Sequence, residues 1–189
     1  MIRGILLAAG YGRRFDASGR QDKLLAPLAD GRPVLWHSAR ALCAALPGSL
    51  AVVRPGHAER VRWLIEAGCA VLECREAELG MGSALAQAVQ ASAGASGWVV
   101  ALADMPWLPP AVIRAVADAI DAPARVVAPL HSGQRGHPVG FGGDWGNRLA
   151  ALSGDEGART LLREATIQLL ETDEPGVLTD VDTPADLRD

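Results

Sequence analysis

Near its start this chain reads Leu6-Leu7-Ala8-Ala9-Gly10-Tyr11-Gly12-Arg13-Arg14-Phe15, and a polar insert leads on to Asp22-Lys23-Leu24-Leu25. Glycine lets a backbone turn with positive φ and bring its N–H groups against an anion, while arginine offers a planar fork to phosphate oxygens. The chemistry these residues suit is phosphate binding. Lys23 is the sole lysine among 18 basic residues. A compact, mobile charge at that point fits a phosphate undergoing transfer.

Carboxylates supply the second half of such a site. Asp104 follows Val99-Val100-Ala101-Leu102, so it projects from the end of a buried strand. Magnesium takes one or two protein carboxylates and completes its shell with water and phosphate, and Asp104 suits it. An N-cap or a turn residue before Pro106 is the other reading. Asp180 and Asp182 flank Val181 with the period of a strand, which would point both to one side, and Thr183-Pro184 would begin a final helix. Asp182 then reads as a second metal ligand or as the cap of that helix.

Three further segments carry polar groups on loops. Gly80-Met81-Gly82-Ser83 places N–H groups and a hydroxyl at a helix start, open either to a ligand or to ordinary capping. Arg135 and His137 lie in a polar loop over 131–137, and Asp155 and Arg159 lie at another helix start. His37 and His57 read as helix-surface residues without a role.

Spacing separates the known phosphate loops. No G-x-x-x-x-G-K-[ST] string occurs, and the dinucleotide fingerprint G-x-G-x-x-G meets Phe15 at its third glycine. A dehydrogenase is thereby disfavoured. What remains, L-A-A-G-x-G-x-R followed by a lysine, resembles the signature of nucleotidyltransferases that activate a phosphorylated acceptor.

The elements that would position these groups alternate. The pattern predicts helices over 34–46, 57–67, 80–93 and 109–120, and strands at 5–7, 50–53, 69–72, 98–102 and 125–128. Short helices at 145–151 and 156–164 and a strand at 167–170 complete a less regular second half. Such alternation predicts a doubly wound α/β sheet with ligands at the carboxyl ends of its strands. At 189 residues, 49% of them hydrophobic, the chain is expected to form a single domain, residues 1–189. Residues 1–40 carry seven basic and three acidic residues within a chain of net charge −4. A local basic cluster in an acidic protein points to a small anionic ligand and away from nucleic acid. Cys43, Cys69 and Cys74 read as reduced core thiols. With no signal-peptide pattern and no transmembrane run, the expectation is a cytoplasmic protein without membrane contact.

Taken together, LLAAGYGRR, DKLL, GMGSAL, LADMP, RGHPVGF, GDEGAR and DVDTPADL resemble the nucleotidyltransferase family of molybdenum cofactor maturation, most of all its cytidylyltransferase branch. The resemblance implies a Rossmann-like, mostly parallel sheet of the nucleotide-diphospho-sugar transferase type with one late antiparallel strand. It implies Mg²⁺, a nucleoside triphosphate, the phosphate of a molybdopterin cofactor as acceptor, and a molybdoenzyme as a possible recipient. Transfer of CMP from CTP with release of pyrophosphate is the expected activity, since Ala8-Ala9-Gly10 is the form typical of the cytidine branch. A GTP- or UTP-dependent relative acting on another phosphate, such as a sugar phosphate, and a non-catalytic nucleotide-binding cofactor chaperone are the alternatives. The family pattern assigns Arg14, Lys23 and Asp104 to catalysis, with Asp104 on the metal; Asp182 stands beside it as the candidate second metal ligand, the helix cap being its other reading. Leu7, Ala8, Ala9, Gly10, Gly12, Arg13, Gly80, Gly82 and Ser83 fall to the nucleotide, and Arg135, His137, Asp155 and Arg159 to the acceptor. Asp16 departs from the glycine common in the family, and residues 17–21 lengthen the loop before Lys23.

Overall fold

A computed structural model describes residues 1–187. Strands and helices alternate through β1 (Ile2–Leu7), α1 (Val34–Ala45), β2 (Leu50–Val53), α2 (Ala58–Glu66), β3 (Ala70–Glu73), α3 (Met81–Ala91), β4 (Gly97–Leu102), α4 (Pro110–Asp118) and β5 (Val126–His131). The chain continues through β6 (Gln134–Arg135), β7 (Val139–Gly142), α5 (Gly146–Ala150), α6 (Arg159–Glu164) and β8 (Ile167–Glu171).

All eight strands join one sheet in the order β3-β2-β1-β4-β7-β5-β6, with β8 on the other side of β5. The strands β1, β2, β3 and β4 are mutually parallel, and β7 lies antiparallel between β4 and β5. This is the doubly wound sheet that the alternation predicts, mostly parallel with the late antiparallel strand that the family resemblance implies. Two hydrophobic layers enclose it. Leu6 and Ala8 face a core shared with α1, α2 and α4, while Ile5, Leu7 and Ala9 face a second core under α3, α5 and α6. The apolar run of β1 is thus buried on both faces because successive side chains of a strand alternate sides.

Three local expectations fail. The segment 131–137 is not a loop: β5 runs on to His131 and returns through β6. Its two-residue turn, Ser132-Gly133, has positive φ at both positions (49° and 76°), which matches the twist of a hairpin but is an unusual conformation for serine. The helix expected from Glu156 begins at Arg159. No strand forms at 180–182, and the final helix is one 3₁₀ turn, Pro184–Asp186. Cys43, Cys69 and Cys74 are buried free thiols, as expected, with the Cys43 and Cys69 sulfurs 3.1 Å apart. Among the described residues no helix is long and apolar enough to cross a membrane.

Candidate active site

Strand β1 ends at Leu7 and the chain enters the glycine-rich turn, where Gly12 takes φ 62°. Beside it opens a cavity of about 360 Å³ at the carboxyl ends of β1 and β4. Leu7, Ala9, Gly10, Tyr11, Gly12, Arg14 and Lys23 line one side, and Ala77, Gly80, Met81, Ala84 and Asp155 the other, with Leu102 and Asp104 at the end of β4. Backbone N–H groups of Gly10, Tyr11 and Gly12 donate to no protein acceptor among the described residues, so the turn is left with donors for an anion.

Charge in the cavity is internally paired. Lys23 Nζ lies 2.8 Å from Asp104 Oδ2 and 3.7 Å from Asp182 Oδ1, and Arg14 lies 2.7 Å from Asp182 Oδ2. Lys23 and Asp104 are mostly buried, whereas the Arg14 side chain is 82% exposed. Asp182 does not cap the last turn: Thr183 does, in a capping box with Asp186. Asp180 stands close enough to Asp104 and Asp182 that burial first, and then both carboxylates, push its own carboxyl above the usual range.

The turn itself is held from behind. Arg60 of α2 is 3% exposed and grips Asp22 with Nε and Nη2 (2.6 and 2.8 Å) while donating to the carbonyls of Ala8 (2.7 Å) and Gly10 (3.1 Å). Arg54 donates to the carbonyl of Ala9 (2.9 Å), and its guanidinium lies 3.8 Å from the Tyr11 ring centre. Neither arginine figured among the site residues the sequence suggested. The available signal was Arg60 at four residues before Leu64, which puts a charge on the buried face of α2.

Several residues expected at the nucleotide do not line this cavity. Ala8 is fully buried in the opposite core, because strand alternation turns it away from Leu7 and Ala9. Arg13 does not line the cavity; it is exposed with its guanidinium 5.2 Å from the Tyr11 ring. Gly82 and Ser83 form a clasp: Gly82 N donates to Gly154 O (2.8 Å), and Ser83 Oγ accepts from Gly154 N (3.0 Å). Gly80, at φ 125°, has no room for a Cβ against Gly154 and the Asp155 carboxylate. The clasp brings Asp155 into the cavity wall. Arg159, exposed at the start of α6, Arg135, exposed on β6, and His137 do not line that cavity. His137 is half-buried, and desolvation lowers its pKa below the ordinary histidine value.

Asp16, the departure before the insert, turns onto its own loop. Its carboxylate accepts from Ser18 N (2.9 Å), Ser18 Oγ (2.6 Å) and Gln21 N (2.8 Å). These bonds, the Ser18 hydroxyl foremost, hold its pKa below the ordinary value.

A family model described as the MobA-like NTP transferase domain matches residues 4–171. The chain belongs to this family. It therefore carries a nucleotidyltransferase domain, and the glycine turn, Lys23 and Asp104 all fall within the matched residues. Among curated relatives, the purine catabolism protein PucB of Bacillus subtilis is 31% identical over 96% of this chain and 91% of its own length. The bifunctional protein GlmU of Sphingopyxis alaskensis is 38% identical over 67% of this chain, and the match spans 28% of GlmU. The crystal structure of Rv0371c from Mycobacterium tuberculosis superposes with a TM-score of 0.78 at 27% identity, covering 98% of this chain and 94% of that one. A manganese complex of Rv0371c matches with a TM-score of 0.75 at 26% identity, covering 98% and 95%.

Proposed function

We propose that this transferase moves CMP from CTP to the phosphate of a molybdopterin-type cofactor and releases pyrophosphate. The observation that carries nucleotidyl transfer is the convergence of Asp104 and Asp182 on the single ammonium of Lys23, beside a turn whose N–H groups are free. The choice of CTP and of the acceptor rests on the motif resemblance, with Ala9 beside Gly10 in the turn.

The two carboxylates fit a divalent cation: they are hard oxygen donors within reach of one position that a positive charge already occupies. Asp180, whose pKa burial raises first, lies near enough for both carboxylates to raise it further, and a Mg²⁺ ion held there would take the rest of its ligands from water and phosphate. A cation held there supplies charge neutralisation for the triphosphate. The same arrangement accords with the manganese bound by Rv0371c.

Acceptor phosphate attacks the α-phosphorus in line, an O–P bond forms, and the bond to the β-phosphate oxygen breaks. No protein base is required, because the second ionisation of a phosphate monoester lies near pH 6. The residues act by position and charge. Nucleotide binding draws Lys23 and Arg14 from their carboxylates onto phosphate oxygens, and the Gly10–Gly12 turn donates its N–H groups. The apolar side chains of Leu7, Ala77, Met81 and Ala84 would flank the base.

A second reading keeps the chemistry and changes the acceptor or the nucleotide. Its support is the near full-length similarity to PucB, a purine catabolism protein, and the absence of Arg135, His137 and Arg159 from the cavity.

The test is a thermal-shift panel of CTP, GTP, UTP and ATP with and without Mg²⁺, on wild type and Asp104→Ala, followed by pyrophosphate release with molybdopterin cofactor as acceptor. Ligand at about 100 times Kd stabilises by roughly 2.7 kcal/mol, a rise of about 5 to 10 °C in Tm for a domain of this size. A Mg²⁺-dependent rise with CTP that the variant loses, together with pyrophosphate release, supports the proposal. A rise with GTP or UTP alone moves the assignment to the second reading, and no rise with any triphosphate overturns both.

A further inference from the structure

The most deeply buried charge near the site touches none of Arg14, Lys23, Asp104 and Asp182. Arg60 is 3% exposed, yet its guanidinium bonds to two segments that are separate in sequence. On one side it meets Asp22 through two contacts, Nε to Oδ2 at 2.6 Å and Nη2 to Oδ1 at 2.8 Å. On the other it donates to the carbonyls of Ala8 (2.7 Å) and Gly10 (3.1 Å). Asp22 in turn caps the 3₁₀ turn Lys23–Leu25, accepting from Leu24 N at 3.0 Å.

We infer that Arg60 is a positioning residue that sets the glycine turn and Lys23 in register with each other. This rests on the proposed nucleotidyl transfer for what is positioned, and on geometry alone for the positioning. By accepting bonds from Arg60, the carbonyls of Ala8 and Gly10 point toward α2, and the N–H groups that follow face the cavity. Through Asp22, the same guanidinium places the turn that carries Lys23, whose ammonium then reaches Asp104 at 2.8 Å. A lysine cannot replace it: an ammonium has no planar fork and cannot hold a carboxylate bidentately while reaching two carbonyls. Arg54 secures only the carbonyl between them, Ala9 O at 2.9 Å, and does not reach Asp22.

The experiment compares wild type with Arg60→Lys and Asp22→Asn. Amide hydrogen exchange is measured on nucleotide-free protein, and Mg·CTP affinity and pyrophosphate release are measured in parallel. Arg60→Lys is expected to speed exchange in both 8–15 and 22–25 while β2 and β4 stay as protected as in wild type. Asp22→Asn is expected to speed 22–25 chiefly. A catalytic group misplaced by about 1 Å can cost on the order of 10²-fold, and kcat/KM of Arg60→Lys should fall by about that factor. Unchanged exchange in 8–15 and 22–25 in folded Arg60→Lys overturns the inference, as does a loss of protection spread evenly over the whole chain. A wild type that binds no triphosphate overturns the proposed function instead, and the exchange result still decides the role of Arg60.

Discussion

Lys23 and Asp104 stand 81 positions apart in the chain and meet at 2.8 Å, Nζ to Oδ2, at the edge of the same cavity. Each satisfies the other until a ligand arrives, so a mostly buried ammonium and carboxylate avoid an unpaired charge. In the proposed reaction, metal and triphosphate would bind by exchange of these partners.

Lys23→Met removes the cation from between Asp104 and Asp182. Stability should fall by about 1.5 to 3 kcal/mol, the worth of a hydrogen bond to a charged group, measured by denaturant unfolding. Turnover should drop by about 10²- to 10³-fold, as for loss of one electrostatic stabiliser. Affinity for Mn²⁺ by calorimetry should hold or rise, because the lysine competes with metal for the carboxylates. Weaker Mn²⁺ binding in this variant would show that Lys23 assists the metal rather than displacing it.

Asp182→Asn tests the second carboxylate. Its partner Arg14 is largely exposed, so this ion pair should contribute less than about 1 kcal/mol to stability. Metal affinity should nevertheless fall by at least roughly tenfold, since even outer partners of a metal ligand cost 10- to 100-fold. Calorimetric titration with Mn²⁺ reads this directly, and an unchanged affinity would remove Asp182 from the metal site.

Gly82→Ala puts a Cβ 2.9 Å from the carbonyl oxygens of both Ser153 and Gly154. Backbone has to move to admit it, which typically costs about 1 to 3 kcal/mol. The clasp between 80–83 and 153–155 should open, with a lower Tm and weaker nucleotide binding. Gly94→Ala, where a Cβ meets nothing within 4 Å, is the control and should leave both unchanged.

His137 contributes to the pH dependence, alongside His57, whose pKa burial also lowers. Burial lowers the His137 pKa in the folded protein, with Arg135 adding to the effect and Asp104 opposing it. The unfolded chain therefore binds a proton more readily, and stability is greatest above the ordinary histidine value of about 6.5. Stability should decline as pH falls through and below that value, and His137→Gln should flatten the decline. Denaturant midpoints at pH 5, 6, 7 and 8 for both proteins make the comparison; parallel curves would contradict it.

Much of the architecture was legible because it follows from local pattern. Ile5-Leu6-Leu7 has the short apolar run of a strand covered on both faces, β2 runs over the four residues its apolar content indicated, and Gly10 with Gly12 marked the turn. The second half was harder, since Ser132 had to adopt a positive φ that its side chain does not favour, and the last turns are too short for periodicity to mark.

The residues read in order show the kinds of group available: a glycine turn, one lysine, and an aspartate at the end of a buried strand. Types and short spacings carry that information, because they decide which chemistry is possible. Which of these groups meet depends on the fold. Strand alternation took Ala8 out of the cavity and left Ala9 in it, the clasp on Gly154 drew Asp155 in and withdrew Ser83, and α2 delivered Arg60 behind the turn. Such pairings depend on the sum of packing over many residues, and the guanidinium of Arg60 could be buried only because a carboxylate and two carbonyls converge where α2 crosses the turn.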